Sequence, residues 1–294
     1  MKRLSWKDKL IYASGGLGVA MITVIHMLYL VYFFFPPSNA GLPYLIPQEA
    51  LFLTFTILGV IMAAGRLVDA ITDPLIASWS DNTQSNLGKR IPFIRRSAIG
   101  FAASYVIVFF VPVGEQISNI NVIWLIIWLT MAALFLTLYT VPHTALMVEI
   151  AHHPDDKIDL ATLNSVLWFV GFLIVSFSGG LWDLFQSVFD LSRIEAIRIT
   201  FAIIAAIGGV LCLIPGYGLK ETPLETTTSQ KKPAETKQPL LPAMRKVFKN
   251  RDFRVFLIAN TLYTMATYIF ETGLIYYITV LALYKASAQG PLTT

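Results

Sequence analysis

From Ala50 to Trp79 the chain reads ALFLTFTILGVIMAAGRLVDAITDPLIASW, an apolar stretch long enough to cross a bilayer. The stretch nevertheless carries Arg66, Asp69 and Asp73. A charged side chain inside a bilayer costs about 2.5–3.5 kcal/mol on insertion scales, so it is retained where it pairs, lines an aqueous cavity or holds an ion. The stretch therefore predicts a membrane protein that moves a solute or an ion.

The composition favours the same interpretation. Hydrophobic residues make up 55% of the 294-residue chain, charged residues make up 14%, and the mean hydropathy is +0.64. These values lie outside the usual balance of soluble domains. The net charge of +4 does not indicate a nucleic-acid partner, because the basic residues concentrate in loops on alternate sides of the predicted spans. A single cysteine, Cys212, excludes an intrachain disulfide.

Apolar runs of about 20 residues predict the membrane topology. The seven runs cover approximately residues 11–35, 50–79, 93–113, 121–148, 162–183, 196–217 and 253–285. Basic residues before the first run and between the second and third runs predict a cytoplasmic N-terminus in a plasma (inner) membrane. We expect three regions: a six-helix transmembrane bundle (1–219), a cytoplasmic linker with an interfacial basic helix (220–250), and the first helix of an incomplete second bundle (251–294).

The charged residues of the second span predict a cation site. Arg66, Asp69 and Asp73 are spaced by three and four residues, so they lie along one helix face. Two carboxylates one turn apart can bind a small cation such as sodium, or share a proton because both resist ionising together. Alternatively, Arg66 neutralises Asp69 and the trio only packs helices. One arginine cannot compensate two aspartates, which favours the cation site.

The loop after the second span contains Asp81, Gly88, Lys89 and Arg90. Asp81 can pair with the basic residues at the helix ends, and Glu149 at the end of the fourth span is also expected to pair with loop cations. Such pairs can hold one conformation of an alternating-access transporter. Simple anchoring by the positive-inside rule also accounts for the basic residues. The sequence leaves both roles open.

Two blocks of sequence carry a family resemblance. The first contains DAITDP (69–74), SDNT (80–83) and GKRIPFI (88–94), and the second contains VPHTAL (141–146) and LNS (163–165). With this order and spacing, the chain resembles the glycoside-pentoside-hexuronide:cation symporters, the melibiose permease-like family of the major facilitator superfamily. It is more distantly similar to the sodium-dependent lysophospholipid symporters. The resemblance covers roughly Tyr12 to Gly218.

The resemblance implies an all-α major facilitator fold, and by this comparison the chain looks truncated after the seventh helix. It also implies that Asp69 and Asp73 bind the coupling cation, that Thr137 helps to coordinate it, and that Arg66 is their charge partner. Charged residues that bind sugar in the family are replaced here by neutral ones, so the melibiose-type sugar site is absent. Weaker candidates for the substrate cavity are Thr140, His143, Thr144, Asn164 and Trp168.

Taken together, these features predict a secondary active transporter that couples sodium or protons to the symport of a sugar or related organic solute. The alternatives are a symporter of lysolipid or another amphiphile, and a non-transporting half-transporter or regulatory membrane protein. Expected partners are a small solute, with a sugar or glycoside preferred, and membrane lipid, but no nucleic acid. The sequence predicts no enzyme, no cofactor and no metal ion other than sodium, and it leaves the oligomeric state open.

Overall fold

The computed structural model describes residues 3–37, 40–52, 55–221 and 248–288. The described residues contain one short antiparallel strand pair, formed by β1 (Ala50–Phe52) and β2 (Phe55–Thr56). The other described elements are helices. The helices in the described ranges are α1 (Trp6–Phe34), α2 (Ile57–Asn82), α3 (Ile91–Ile107), α4 (Asn119–Ile150), α5 (Pro154–Ser176), α6 (Ser178–Phe189), α7 (Arg193–Gly218) and α8 (Arg251–Ala288).

Five described helical segments are long and apolar enough to cross a membrane. They are α1, α4, the consecutive helices α5 and α6 taken together, α7, and Arg251–Phe270 of α8. Helix α2 is not among them because Arg66, Asp69 and Asp73 interrupt its apolar run, and α3 is only 17 residues long. Each of the seven predicted spans nevertheless contains a helix, which confirms the all-α prediction.

Three predicted spans have wrong boundaries. The third span, predicted over 93–113, is helical only as far as Ile107. The second span was expected from Ala50, but residues 50–52 and 55–56 form the strand pair and α2 begins at Ile57. Aromatic residues and threonine suit an extended backbone, and the Thr56 hydroxyl then caps α2 by accepting a hydrogen bond from the Gly59 amide at 3.2 Å. The fifth span was expected over 162–183, but its helix begins at Pro154, a favourable first helical residue, and is interrupted at Phe177.

The chain divides into two compact units, Met1–Pro223 and Leu224–Thr294. In the first unit α1 occupies the centre and packs against α5 and α7, while α3 packs against α4 and α7, and α2 packs against α4. The contact between α1 and α7 requires Gly18, because a Cβ atom there would collide with the Gly208 carbonyl oxygen. The central position of α1 explains why most of its side chains are buried.

Aromatic side chains fill the core near the C-terminal end of α1. The ring of Phe109 packs 5.1 Å from that of Phe33 and 4.8 Å from that of Phe201, and all three side chains are buried. Buried aromatic area of this kind stabilises helix packing without polar groups. The predicted linker and its basic helix (220–250) lie largely outside the described residues, and α8 is described by itself from Arg251.

Candidate functional site

The centre of the site is the contact between α2 and α4. Asp73 Oδ1 accepts a hydrogen bond of 2.8 Å from Thr137 Oγ1. The Thr137 side chain is buried, with 3% of its surface exposed. This contact joins a carboxylate and a hydroxyl that were both predicted as cation ligands and that are separated by 64 residues in the sequence.

Asp69 lies one turn before Asp73 on α2 and is only partly compensated. Its Oδ2 atom is 3.6 Å from Arg66 Nη1, and the Arg66 side chain is 61% exposed. These two atoms lie farther apart than in a normal hydrogen bond, so the contact between them is weak. The other carboxylate oxygen, Asp69 Oδ1, is buried without a hydrogen-bond partner among the described residues. The α2 face therefore carries more negative charge than its neighbours neutralise.

The arrangement has the chemistry of a monovalent-cation or proton site. Carboxylate and hydroxyl oxygens are hard ligands, and the Thr137 hydroxyl keeps lone pairs after it donates its proton to Asp73. The described residues include no group of three or more His, Cys, Asp or Glu side chains placed to hold a metal ion. Cation binding by Asp69, Asp73 and Thr137 stays a prediction.

Two of the predicted cavity residues meet at the glycines of α1. His143 is buried: its Nε2 atom lies 3.1 Å from the Tyr12 carbonyl oxygen, and its ring stacks on the Tyr12 ring at 4.4 Å. A Cβ atom on Gly16 would collide with the side chain of Asn164, whose Oδ1 atom is buried without a hydrogen-bond partner among the described residues. Helices α4 and α5 thus bring polar side chains against the N-terminal half of α1.

The other predicted cavity residues lie at more open positions. Thr140 is half-buried, and its hydroxyl donates to the Leu136 carbonyl oxygen at 2.8 Å. Thr144 is exposed on α4. Trp168 on α5 is 36% exposed, and its ring stacks on Phe172 at 6.1 Å. A role of these residues in solute binding stays a prediction.

The loop between α2 and α3 is organised around Arg90, whose surface is 8% exposed. Arg90 Nε donates to Glu149 Oε1 at 3.0 Å, and its two Nη atoms donate to Ser80 and Asp81. The predicted pairing of Glu149 and Asp81 with loop cations is confirmed. A gating function for Asp81, Gly88, Lys89 and Arg90 stays a prediction.

A carboxylate that sequence reasoning missed caps α3. Glu221 Oε1 accepts hydrogen bonds from the Arg90 and Ile91 amides at 2.6 and 2.7 Å, and Oε2 accepts one from the Lys89 amide. The preceding turn needs glycine, because Gly88 has a φ of +99° and a Cβ atom there would collide with Glu221. Helix N-termini favour negative charge, so Glu221 satisfies amides that would otherwise lack partners.

A second missed cluster joins the start of α1 to the start of α5. Lys9 Nζ lies 2.8 Å from Asp156 Oδ1 and 2.6 Å from Asp159 Oδ2, and the Lys9 side chain is 4% exposed. The Leu4 amide donates to Asp156 Oδ2 at 3.1 Å, and Arg3 pairs with Asp155. The available signal was the presence of two carboxylates three residues apart on α5 and a lysine at the start of an apolar helix.

Comparison with known proteins places these features in a family. The family described as MFS/sugar transport protein matches residues 11–289. An uncharacterized symporter of Synechocystis sp. is 29% identical over 160 residues, which are 53% of this chain and 27% of the relative. The putative glycoside/cation symporter YagG of Escherichia coli is 26% identical over 176 residues, which are 60% of this chain and 35% of the relative.

A vertebrate relative is also similar. Sodium-dependent lysophosphatidylcholine symporter 1 of Xenopus tropicalis is 33% identical over 104 residues, which are 35% of this chain and 19% of the relative. The chain thus spans less than half the length of these curated relatives. The family match, in contrast, extends over most of the chain, and the family and these relatives are described as transporters rather than enzymes. The chain therefore belongs to the MFS/sugar transport protein family, and it is an integral multi-pass membrane protein of the major facilitator superfamily.

Proposed function

We propose that this chain contains the cation-binding half of a symporter that couples a monovalent cation to an organic solute by alternating access. The observation that carries the proposal is the hydrogen bond between Thr137 and Asp73, one turn from the buried and unpartnered Oδ1 atom of Asp69. Buried polar atoms are normally satisfied, so an unpartnered carboxylate oxygen beside a second carboxylate is a binding-site candidate.

Charge balance gives the mechanism. Arg66 is 61% exposed, and no buried cationic side chain pairs with the two carboxylates among the described residues, so a bound cation or proton neutralises part of their charge. Because the ligands come from α2 and α4, the bound cation stabilises one packing of these helices. A ligand that binds one conformation more tightly shifts the population toward it, and in this proposal the favoured conformation accepts the solute.

The proposed solute is a sugar or a related organic molecule. The proposed location is a plasma (inner) membrane, with the N-terminus in the cytoplasm. The name of the E. coli relative, a putative glycoside/cation symporter, supports this solute class. A lysolipid or similar amphiphile is the second candidate. It is supported by the relative named for lysophosphatidylcholine and by the residues aligned with the family's sugar-binding positions, since Ala20 and Thr140 stand where sugar-binding members carry aspartates and Thr144 stands where they carry a tryptophan.

Thermal stability of the purified full chain in neutral detergent tests the cation site. A ligand that binds only the folded state raises the unfolding midpoint as its concentration rises. We expect sodium or lithium to raise the midpoint more than potassium does, and Asp69→Asn and Asp73→Asn to abolish that difference. Asp183→Asn removes one exposed carboxylate from α6 and is the matched control, for which the difference should persist.

The other outcomes separate the alternatives. A flat response to alkali cations, combined with a pH dependence that the two asparagine variants lose, would assign proton coupling. A wild-type midpoint insensitive to both alkali cations and pH would contradict the proposal and favour the packing role of the aspartates.

The same measurement in saturating cation tests the solute class. A glycoside probe should raise the midpoint further. Protection by lysophosphatidylcholine below its micelle concentration, without protection by glycosides, would support the amphiphile candidate instead.

A further inference from the structure

An apolar groove lies between α3 and α7, and none of its lining residues belongs to α2 or α4. Its volume is about 320 Å³, and ligand pockets typically begin at roughly 300 Å³. Small residues form the floor, where Gly209 meets Ala102 so closely that a Cβ atom on Gly209 would lie 2.9 Å from the Ala102 Cβ. The lining residues are Ile99, Ala102, Ala103, Val106, Ala202, Ala205, Ala206, Gly209, Val210 and Leu213.

The groove opens outward along its length. Ile99 is 65% exposed and Val210 is 61% exposed, although both are large aliphatic residues. Helices α3 and α7 are apolar here, and no charged or hydrogen-bonding side chain lines the groove. An apolar, exposed surface on helices of a membrane protein suits contact with lipid acyl chains better than contact with water.

Basic residues stand at one end of the groove. Arg95 and Arg96 precede Ile99 by four and three residues, so both lie one turn from it on α3. Arg95 Nε donates to the Gly216 carbonyl oxygen at 2.6 Å, and its guanidinium stacks 4.4 Å from the centre of the Tyr217 ring. Among the described residues neither arginine has a carboxylate within ion-pair distance, whereas Arg90 on the preceding turn has two.

We propose that the α3–α7 groove binds one anionic phospholipid, with an acyl chain along Ile99, Ala103, Ala206 and Val210 and its phosphate at Arg95 and Arg96. The stacking of Arg95 on Tyr217 and its bond to Gly216 hold the guanidinium at the groove end. Its terminal nitrogens make no hydrogen bond within the described ranges, so they can bind an anion. Basic residues beside a cleft between transmembrane helices bind acidic lipid headgroups in this way. The charge of the arginines selects an anionic lipid over a zwitterionic one.

The occupant is a lipid and not a transported solute, because the groove lacks the polar groups that orient a sugar. A second copy of this chain would bring Arg95 and Arg96 close to their own counterparts if the two grooves faced each other about a twofold axis, and that arrangement is repulsive. The proposal does not depend on transport or on Asp69 and Asp73, so its test and the cation test can fail separately.

Lipid binding can be measured on the purified full chain in neutral detergent. The probes are phosphatidylglycerol and phosphatidylcholine with identical acyl chains, added at the same molar fraction of the micelle, and the readouts are the unfolding midpoint and the number of lipids retained in native mass spectrometry. We expect one retained phosphatidylglycerol and a larger midpoint increase with phosphatidylglycerol than with phosphatidylcholine.

Two independent changes should remove this preference. Arg96→Gln, at an exposed position, should reduce phosphatidylglycerol retention several-fold, and Arg95→Gln combined with it should abolish retention. Ala103→Phe fills the groove at an exposed position, keeps both arginines, and should also abolish retention. The matched control is Arg251→Gln with Arg254→Gln, which removes the same charge from exposed positions of α8 and should leave retention unchanged.

Three results would overturn the proposal. The first is equal retention of the two lipids by the wild type, and the second is phosphatidylglycerol retention that survives both Arg95→Gln/Arg96→Gln and Ala103→Phe. The third is an equal loss of phosphatidylglycerol retention in the α8 control, which would indicate a general attraction of the lipid to positive charge. Light scattering supplies one further check. If Ala103→Phe converts an oligomer to a monomer in lipid-free detergent, the groove is an interface between copies of the chain and the proposal is wrong.

Discussion

Two pairs of aspartates, one on α2 and one on α5, have very different partners. Asp156 and Asp159 lie 2.8 and 2.6 Å from the ammonium nitrogen of Lys9, whose side chain is 4% exposed. On α2, Asp69 lies 3.6 Å from an arginine that is 61% exposed, and Asp73 accepts a hydrogen bond from the Thr137 hydroxyl. The α5 pair is compensated by a buried lysine, whereas the part of the chain that the structure describes offers no buried cation to the α2 pair.

The difference indicates two uses for one residue type. A buried lysine held by two carboxylates fixes α1 against α5, because breaking the cluster would leave a charge buried without a partner. The α2 aspartates keep a net negative charge beside a buried hydroxyl, and in our proposal this charge is neutralised by a cation that binds and leaves. The immediate partner, and not the presence of two nearby aspartates, distinguishes a structural cluster from a coupling site.

The largest difference is expected between asparagine variants of the two aspartate pairs. Asp73→Asn should abolish the cation-dependent rise in the unfolding midpoint, because it removes a proposed ligand, while the protein remains folded. Asp156→Asn should lower the midpoint without cation, because Lys9 loses a partner, and should keep the cation-dependent rise. Thermal unfolding with and without sodium at fixed ionic strength measures both effects. The comparison would fail if the two variants behaved alike.

The next largest effect is expected at Lys9. Lys9→Met should lower the unfolding midpoint by roughly 5–10 °C, because Asp156 and Asp159 are left without their cation. Lys7→Met, at an exposed position one residue before Asp8, is the charge-matched control and should leave the midpoint unchanged. An unchanged midpoint in Lys9→Met would show that the cluster contributes no net stability.

A smaller effect is expected at the hydroxyl of the α2–α4 contact. Thr137→Val preserves shape and removes the donor to Asp73, so the cation concentration for half-maximal protection should rise about tenfold, as for one lost hydrogen bond. Thr137→Ser keeps the hydroxyl and should retain most of the affinity. Midpoint titrations with sodium distinguish the two variants, and equal titrations for Val and Ser would remove Thr137 from the ligand set.

The smallest effect is expected for Glu221, whose carboxylate accepts hydrogen bonds from backbone amides at the start of α3. Glu221→Ala should lower the midpoint by about 2–4 °C, comparable to the loss of a helix cap, because the amides of Lys89, Arg90 and Ile91 lose their acceptor. Glu115→Ala, at an exposed position, is the control. Cation protection should persist in both variants, and its loss in Glu221→Ala would link the α3 cap to the cation site.

Much of this site follows from local sequence. Three features are predictable from the sequence alone: the placement of Asp69 and Asp73 on one helical face, the family resemblance of residues 69–94, and the pairing of Asp81 and Glu149 with a loop cation. The strand pair before α2 was missed, because aromatic residues and threonine are apolar enough to extend a hydrophobic run and yet prefer extended backbone.

The amino-acid sequence by itself determined the membrane class, the helical spans and the charged face of α2, because hydropathy and helical period are properties of neighbouring residues. Only the tertiary structure decided which partner each charged side chain meets: Lys9 contacts Asp156, Glu221 accepts from the α3 amides, and Arg95 stacks on Tyr217 beside the apolar α3–α7 groove. Each contact joins residues more than 100 positions apart. Such contacts depend on how whole helices pack, and a local pattern carries no information about that packing.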